Sequence, residues 1–195
     1  MKIIYYNSAV ARLCGRNGII KAVLLNYIYN YHKPNIRKGA GHPACICLAE
    51  CVDQYTDEDH ALWGRSFIHK ILKNMEAEGR LKINKDEDNR PVYTASQEVR
   101  NLLCAEDAVW VCFELRVACK CGICLAIVGR FILHIIDNSP KKLAYNLSVE
   151  KMSEVNCISP AQIYRAIRFL VEAGVVKRDK SLLKHPTRAL ALARC

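Results

Sequence analysis

Two stretches of this chain carry side chains able to read or hold a polyanion. In the first, Trp63 to Lys82, the residues Arg65, Ser66, His69, Lys70, Lys73 and Asn74 fall on one helical face. The opposite face holds Ile68, Ile71, Leu72 and Met75 at i, i+3, i+4 and i+7, the spacing of a buried stripe. The second stretch, Ser159 to Lys177, sets Gln162, Tyr164, Arg165 and Arg168 against Ile163, Ala166, Ile167, Leu170 and Val171. Arginine reads guanine and glutamine reads adenine through paired hydrogen bonds to a base edge. Arg, Lys, Ser and Tyr also hold phosphates, which fixes register without reading sequence. The alternative for either face is an ordinary solvated surface, so the surrounding elements must decide.

Each stretch runs through a glycine, Gly79 or Gly174, into a strand-like segment, Leu81–Ile83 or Val175–Lys177. A basic helix that passes through glycine into a β-hairpin is how a winged-helix protein presents its recognition helix to DNA. Pro91–Thr94 would close the first hairpin around Lys85–Arg90, and Ala189–Leu192 would close the second. The second hairpin brings Lys177, Arg178, Lys180, Lys184 and Arg188, suited to a phosphate backbone. The first has Asp86, Glu87 and Asp88 at its tip, which phosphates would repel. Residues 1–103 carry 15 Lys and Arg against 11 Asp and Glu, and residues 104–195 carry 14 against 8. The second half is therefore expected to grip DNA more strongly. Ser159, Pro160 and Gln162 also form a capping-box pattern that starts the second helix firmly. Ser159 thus joins Arg65, Ser66, His69, Lys70, Lys73, Gln162, Tyr164, Arg165, Arg168 and the five hairpin cations as the expected DNA-contacting set.

The two stretches are copies. Asn74–Lys82 matches Phe169–Lys177 at an offset of 95 residues (174 − 79). Val10–Gly15 matches Val117–Gly122 at an offset of 107 (122 − 15), with Leu24-Leu25 against Phe131-Ile132 further along. Both matches occur in the same order, each followed by a strand-like segment, which indicates a duplicated domain. The expected boundaries are 1–103 and 104–195.

In the first copy, Ile3–Tyr6 reads as a strand or arm and Ser8 as the N-cap of a short helix through Cys14. A long helix spans Ile19–Tyr31, with Ile20, Val23, Leu24, Tyr27, Ile28 and Tyr31 on one side. His32–Pro43 holds two prolines and two glycines and reads as a loop. Ala44–Cys47 is expected as a strand, Leu48–Tyr55 as a helix, Thr56–His60 as an acidic connector and Ser96–Cys104 as a helix. In the second copy the expected order is strand Val109–Phe113, helix Leu115–Cys121, helix Ile123–Ile136 and strand Leu143–Tyr145. A helix capped by Ser148, with Val149, Met152 and Val155 inside, follows.

The fold class is therefore α+β, mainly helical, with two tandem winged-helix (wHTH) domains. A hydrophobic content of 51% supports a packed core, and a net charge of +10 suits a polyanionic partner. No leader pattern precedes the first strand, and the most apolar run, Ile123–Ile136, is broken by Arg130 and His134. The expectation is a cytoplasmic protein without a membrane span, its eleven cysteines free thiols. Cys119, Cys121 and Cys124 with Cys112, or Cys45, Cys47 and Cys51 with His42, could offer thiolates to a metal. Use as small buried apolar residues is the reading adopted, so no metal and no cofactor are expected. Enzyme signatures are absent: no phosphate-cradling loop, nucleophile elbow, zincin motif or Rossmann glycine pattern is found.

The first half resembles the winged-helix domain of phage replisome organisers and plasmid replication initiators. The resemblance rests on Ala11, Gly15 and Asn17, on Ala22–Tyr31, on Leu62–Ile83 and on Arg90–Ser96, and covers roughly residues 3 to 103. It implies origin binding that marks a site for a helicase or its loader, and it leaves a homodimer open. Gly64 stands where that family more often has a capping serine, and a repeated winged helix replaces the family's usual C-terminal region. The resulting expectation is sequence-specific binding of double-stranded DNA, in replication initiation for a phage or mobile element. Transcriptional regulation is one alternative. A tandem winged-helix protein–protein adaptor, as in segregation complexes, is the other.

Overall fold

The computed structural model describes residues 2–37, 48–58, 60–138, 143–144, 148–178 and 190–192. They form a mainly helical α+β chain with small antiparallel sheets, divided into two compact units. One unit is Ile4–Val111, and the other is Cys112–Cys195 with residues 1–3.

The first unit follows strand β1 (Ile3–Asn7) with α1 (Ser8–Leu13), α2 (Gly18–Arg37) and α3 (Leu48–Gln54). A two-residue-per-strand hairpin, β2 (Thr56–Asp57) and β3 (His60–Ala61), leads into α4 (Arg65–Ala77). Strands β4 (Leu81–Lys85) and β5 (Pro91–Ala95) pair antiparallel with Ile83 opposite Tyr93, and α5 (Gln97–Cys104) closes the unit. Isolated helices as short as α4 are marginal in water, and this one lacks a side-chain N-cap. It holds because Ile68, Ile71, Leu72 and Met75 are all buried, each contributing about 1.5–3 kcal/mol.

The second unit follows a similar order, with a strand ahead of α8 and no hairpin between α8 and α9: β6 (Trp110–Glu114), α6 (Leu115–Cys121), α7 (Ile123–Asn138), β7 (Leu143–Ala144), α8 (Val149–Asn156), α9 (Pro160–Glu172), β8 (Val176–Arg178) and β9 (Leu190–Leu192). Three of its strands form one antiparallel sheet in the order β7-β9-β8. Strands β1 and β6 start 107 residues apart (110 − 3), as do α1 and α6 (115 − 8). Helices α4 and α9 start 95 apart (160 − 65), as do β4 and β8 (176 − 81). Burial follows the same register. Tyr6 and Phe113, Ala11 and Ala118, Ile68 and Ile163, Met75 and Leu170, and Leu81 and Val176 are all buried.

Both long amphipathic helices end alike. Gly79 and Gly174 have φ of +70° and +69°, a left-handed region that costs glycine nothing. Beyond them, the Arg80 N–H donates to the Met75 carbonyl at 2.8 Å and the Val175 N–H to the Leu170 carbonyl at 2.9 Å. These are the bonds of a Schellman stop, which aims the next residue into the hairpin.

Several elements differ from the sequence expectation. Asn7, not Ser8, caps α1: its side chain accepts from Val10 N–H at 3.1 Å, and Ser8 is the first helical residue, fully buried. An Asn and a Ser side by side satisfy the same local rule, so only the backbone settles which one caps. Helix α2 does not stop at Tyr31 but continues through Pro34 to Arg37; proline there costs one hydrogen bond without ending the helix. Ala22, Val23, Leu24 and Leu25 are all buried, so α2 is enclosed rather than buried along one stripe. It packs on α1, α4, α5 and β5. The acidic connector folds into β2–β3, with Glu58 at φ +53°. On α9, Val171 is half-buried rather than inside. The expected strand Ala44–Cys47, and Tyr145, lie outside the described residues.

Candidate nucleic-acid interface

Helix α9 is started by the expected capping box. Ser159 Oγ accepts from the Gln162 N–H at 3.4 Å, and Gln162 Oε1 accepts from the Ser159 N–H at 3.2 Å. Pro160 at the first helical position fixes φ without losing a hydrogen bond. The helix then exposes Gln162, Tyr164, Arg165 and Arg168 on the face away from Ile163, Ala166, Ile167 and Leu170. Tyr164 and Phe169 are large exposed side chains on this helix. The Gln162 carbonyl is engaged in the cap, also accepting from Ser159 Oγ at 2.9 Å. Its amide N–H groups are what it has left to offer a base.

Helix α4 offers Arg65, Ser66, His69, Lys70 and Lys73, all exposed as expected. Through the 95-residue register, Lys70 corresponds to Arg165, Lys73 to Arg168, His69 to Tyr164 and Gly64 to Ser159. Gly64 makes no side-chain cap, so the start of α4 is held less firmly than that of α9. Lys73 Nζ lies 3.2 Å from Glu76 Oε2, an exposed i,i+3 pair of small energetic weight. Phe67, not singled out from the sequence, is exposed beside these cations.

The hairpins differ. At the tip of β4–β5, Asp86 Oδ1 accepts from the Asp88 and Arg90 N–H groups at 3.0 and 2.8 Å. The Arg90 guanidinium reaches Asp86 Oδ2 at 3.0 Å and Asp88 Oδ2 at 2.6 Å. Two of the three acids marked as phosphate-repelling, Asp86 and Asp88, thus help build the turn, with Arg90 clamped between them. In the second hairpin, Lys177 and Arg178 lie on β8. Lys180, Lys184 and Arg188 lie outside the described residues.

One contact carries no sequence signal. Lys21 on α2 is 2% exposed, and its Nζ donates to Glu78 Oε1 and Oε2 at 2.6 and 2.7 Å and to the Cys14 carbonyl at 3.2 Å. Glu78 is the C-cap of α4, so the ion pair ties the end of that helix to the core. A second unpredicted feature is an aromatic cluster: the Tyr55 ring stands edge-on to Trp63 at 5.1 Å and to Tyr27 at 6.1 Å.

The thiols divide by burial. Desolvation raises Cys14 to about 11 and Cys51 to about 12, and raises Cys124 as well. Such thiols stay protonated at neutral pH and are poor ligands and nucleophiles. Cys104 and Cys121 are exposed. Among the described residues, no three His, Cys, Asp or Glu side chains are grouped to hold a metal ion. Also among the described residues, no helix is long and apolar enough to cross a membrane. Compared with known proteins, the chain matches no family model, no curated protein and no solved structure.

Proposed function

We propose that this chain binds double-stranded DNA through two tandem winged helices, reading sequence without catalysing a reaction. The observation that carries the reading is helix α9. Arg165 and Arg168 stand exposed on it without an ion pair among the described residues. The capping box fixes its start, and a hairpin follows its glycine stop. The order α7–β7–α8–α9–β8–β9, with β9 central in its sheet, matches the helix–strand–helix–helix–hairpin plan of a winged helix. In that plan α9 enters the major groove and the hairpin cations lie along phosphate. Helix α4 plays the same part in the first unit, with lysines where α9 has arginines. Arginine is the better base reader because its planar fork forms two bonds at once, which supports the second unit as the stronger grip.

Within DNA binding, the resemblance of the first half to replisome organisers favours origin binding and replication initiation for a phage or mobile element. A helicase or its loader would be the partner of the assembled complex. Transcriptional regulation would use the same geometry. A second reading, a protein–protein adaptor, is favoured by the β4–β5 tip, where Glu87 and Asp88 are exposed acids.

The test compares two double variants on one duplex carrying the element's own origin region. Arg165→Ala with Arg168→Ala is expected to weaken binding by about 10- to 100-fold. Lys70→Ala with Lys73→Ala should weaken it less, and Lys85→Ala least. Equal effects of the two double variants would remove the proposed asymmetry.

A further inference from the structure

Within the second unit, α9 and the junction of α6 with α7 line an open groove of about 480 Å³. Leu125, Ala166 and Phe169 give it an apolar floor, while Lys120 and Arg165 bring positive charge and Cys121 a thiol. Among the described residues, neither Lys120 nor Arg165 has an anionic partner. Small-molecule sites have this size and this make-up, a mainly apolar lining with a few placed polar groups.

The first unit closes the corresponding corner. Cys14 is the register counterpart of Cys121 (121 − 14 = 107). Cys14 is 5% exposed, and its carbonyl is held by Lys21, itself locked to Glu78. Cys121 is exposed, and the position matching Glu78 is Ala173 (173 − 78 = 95). The position matching Lys21 is Val128 (128 − 21 = 107), so the second copy replaces the whole ion pair with apolar residues. Its groove cations Lys120 and Arg165 stand where the first copy has Leu13 and Lys70, and they line an open groove.

We propose that this groove binds a small organic anion with an apolar body. The body lies on Leu125, Ala166 and Phe169, and the anionic head is held by Lys120 and Arg165. Charge complementarity identifies the class: a carboxylate or sulfonate supplies a counter-charge that Lys120 and Arg165 do not find among the described residues, and charge-assisted hydrogen bonds to it are the strong kind. Gln162 and Arg165 belong both to the groove and to the face offered to DNA, so an occupied groove competes with duplex for two side chains. That competition rests on the DNA reading. Anion binding does not, and it is measured without DNA, so the two can fail separately.

The experiment titrates the full chain with 8-anilinonaphthalene-1-sulfonate, following fluorescence, beside the uncharged N-phenyl-1-naphthylamine. Saturable one-to-one binding of the sulfonate is expected. Lys120→Ala with Arg165→Ala should weaken the sulfonate about tenfold or more and the neutral probe about twofold at most. Lys151→Ala, an exposed cation on α8 away from the groove, should change neither. Saturating sulfonate should also slow alkylation of Cys121 by iodoacetamide, read by peptide mass. Variants are compared at matched far-ultraviolet dichroism and urea midpoint. Equal loss of both probes, binding indifferent to the double variant, or no protection of Cys121 would overturn the proposal. So would a signal that disappears as protein concentration rises, since a second copy would then be the occupant.

Discussion

Lys21 and Glu78, 57 positions apart, form an ion pair of 2.6 Å in which the lysine is buried and the carboxylate is partly in water. The arrangement joins two unfavourable features into a favourable one. A buried ammonium is costly alone, and a carboxylate at a helix C-terminus opposes the helix dipole. Their union anchors the end of α4, from which the first hairpin departs.

The pair has an asymmetric mutational signature. Glu78→Ala leaves Lys21 buried with only the Cys14 carbonyl as partner, and is expected to cost about 2 kcal/mol after allowing for the exposure of Glu78. Lys21→Met removes the buried charge, leaves Glu78 free to hydrate, and should cost less. Urea denaturation of the two variants checks the order. A larger loss for Lys21→Met would contradict this reading of the pair.

The two helix starts make opposite predictions. Ser159→Ala removes one half of the capping box and should destabilise the second unit by about 1 kcal/mol. Gly64→Ser should stabilise the first unit by about 0.5–1 kcal/mol. Gly64 has φ −74° and ψ 157°, and a Cβ there meets nothing within 4 Å, so serine fits without strain. Thermal melts of both variants against the parent chain test this; a Gly64→Ser chain that melts lower would refute it.

Burial of Cys14 makes stability fall at alkaline pH. Its thiol ionises near 9 when solvated and at about 11 in the fold. Between those values the unfolded chain has lost the proton while the folded chain keeps it, so rising pH favours unfolding. From pH 8 to 10.5 the parent chain should lose about 2 kcal/mol more than Cys14→Ala, measured by urea midpoints. Below pH 8 that difference should be flat. Parallel curves across the whole range would show that Cys14 is solvated in the folded chain.

What the sequence disclosed and what it hid follow a physical line. The buried residues of α4, and all but Val171 of those expected in α9, were legible because a helix repeats every 3.6 residues. The Ser159 cap was legible because its partners lie within one turn. The same local logic failed where two residues could do one job, as with Asn7 and Ser8, or where a breaker was tolerated, as with Pro34 in α2. Lys21 could not be found at all. It sits in a run, Lys21–Leu25, that is buried at every position, and its partner lies on a separate element. Nor could the groove beside Cys121 be read. It lies where α6 gives way to α7 across Gly122 alone, whereas four residues separate α1 from α2, and the repeat alone would have made Cys121 as buried as Cys14. Of the candidate interface, the exposed cations of both helices were legible, while the turn-building role of Asp86 was not. Its acceptors bond backbone groups two and four residues on, and the sequence reports only its charge.

The central claim, that this chain grips duplex DNA through its basic helices and hairpin, is tested most directly by affinity for a random-sequence duplex as a function of salt. Contacts to six or more phosphates release condensed counterions. Affinity is therefore expected to fall by about 10³-fold or more between 50 and 200 mM salt. No measurable binding at the low-salt end, or binding that salt leaves unchanged, would contradict it.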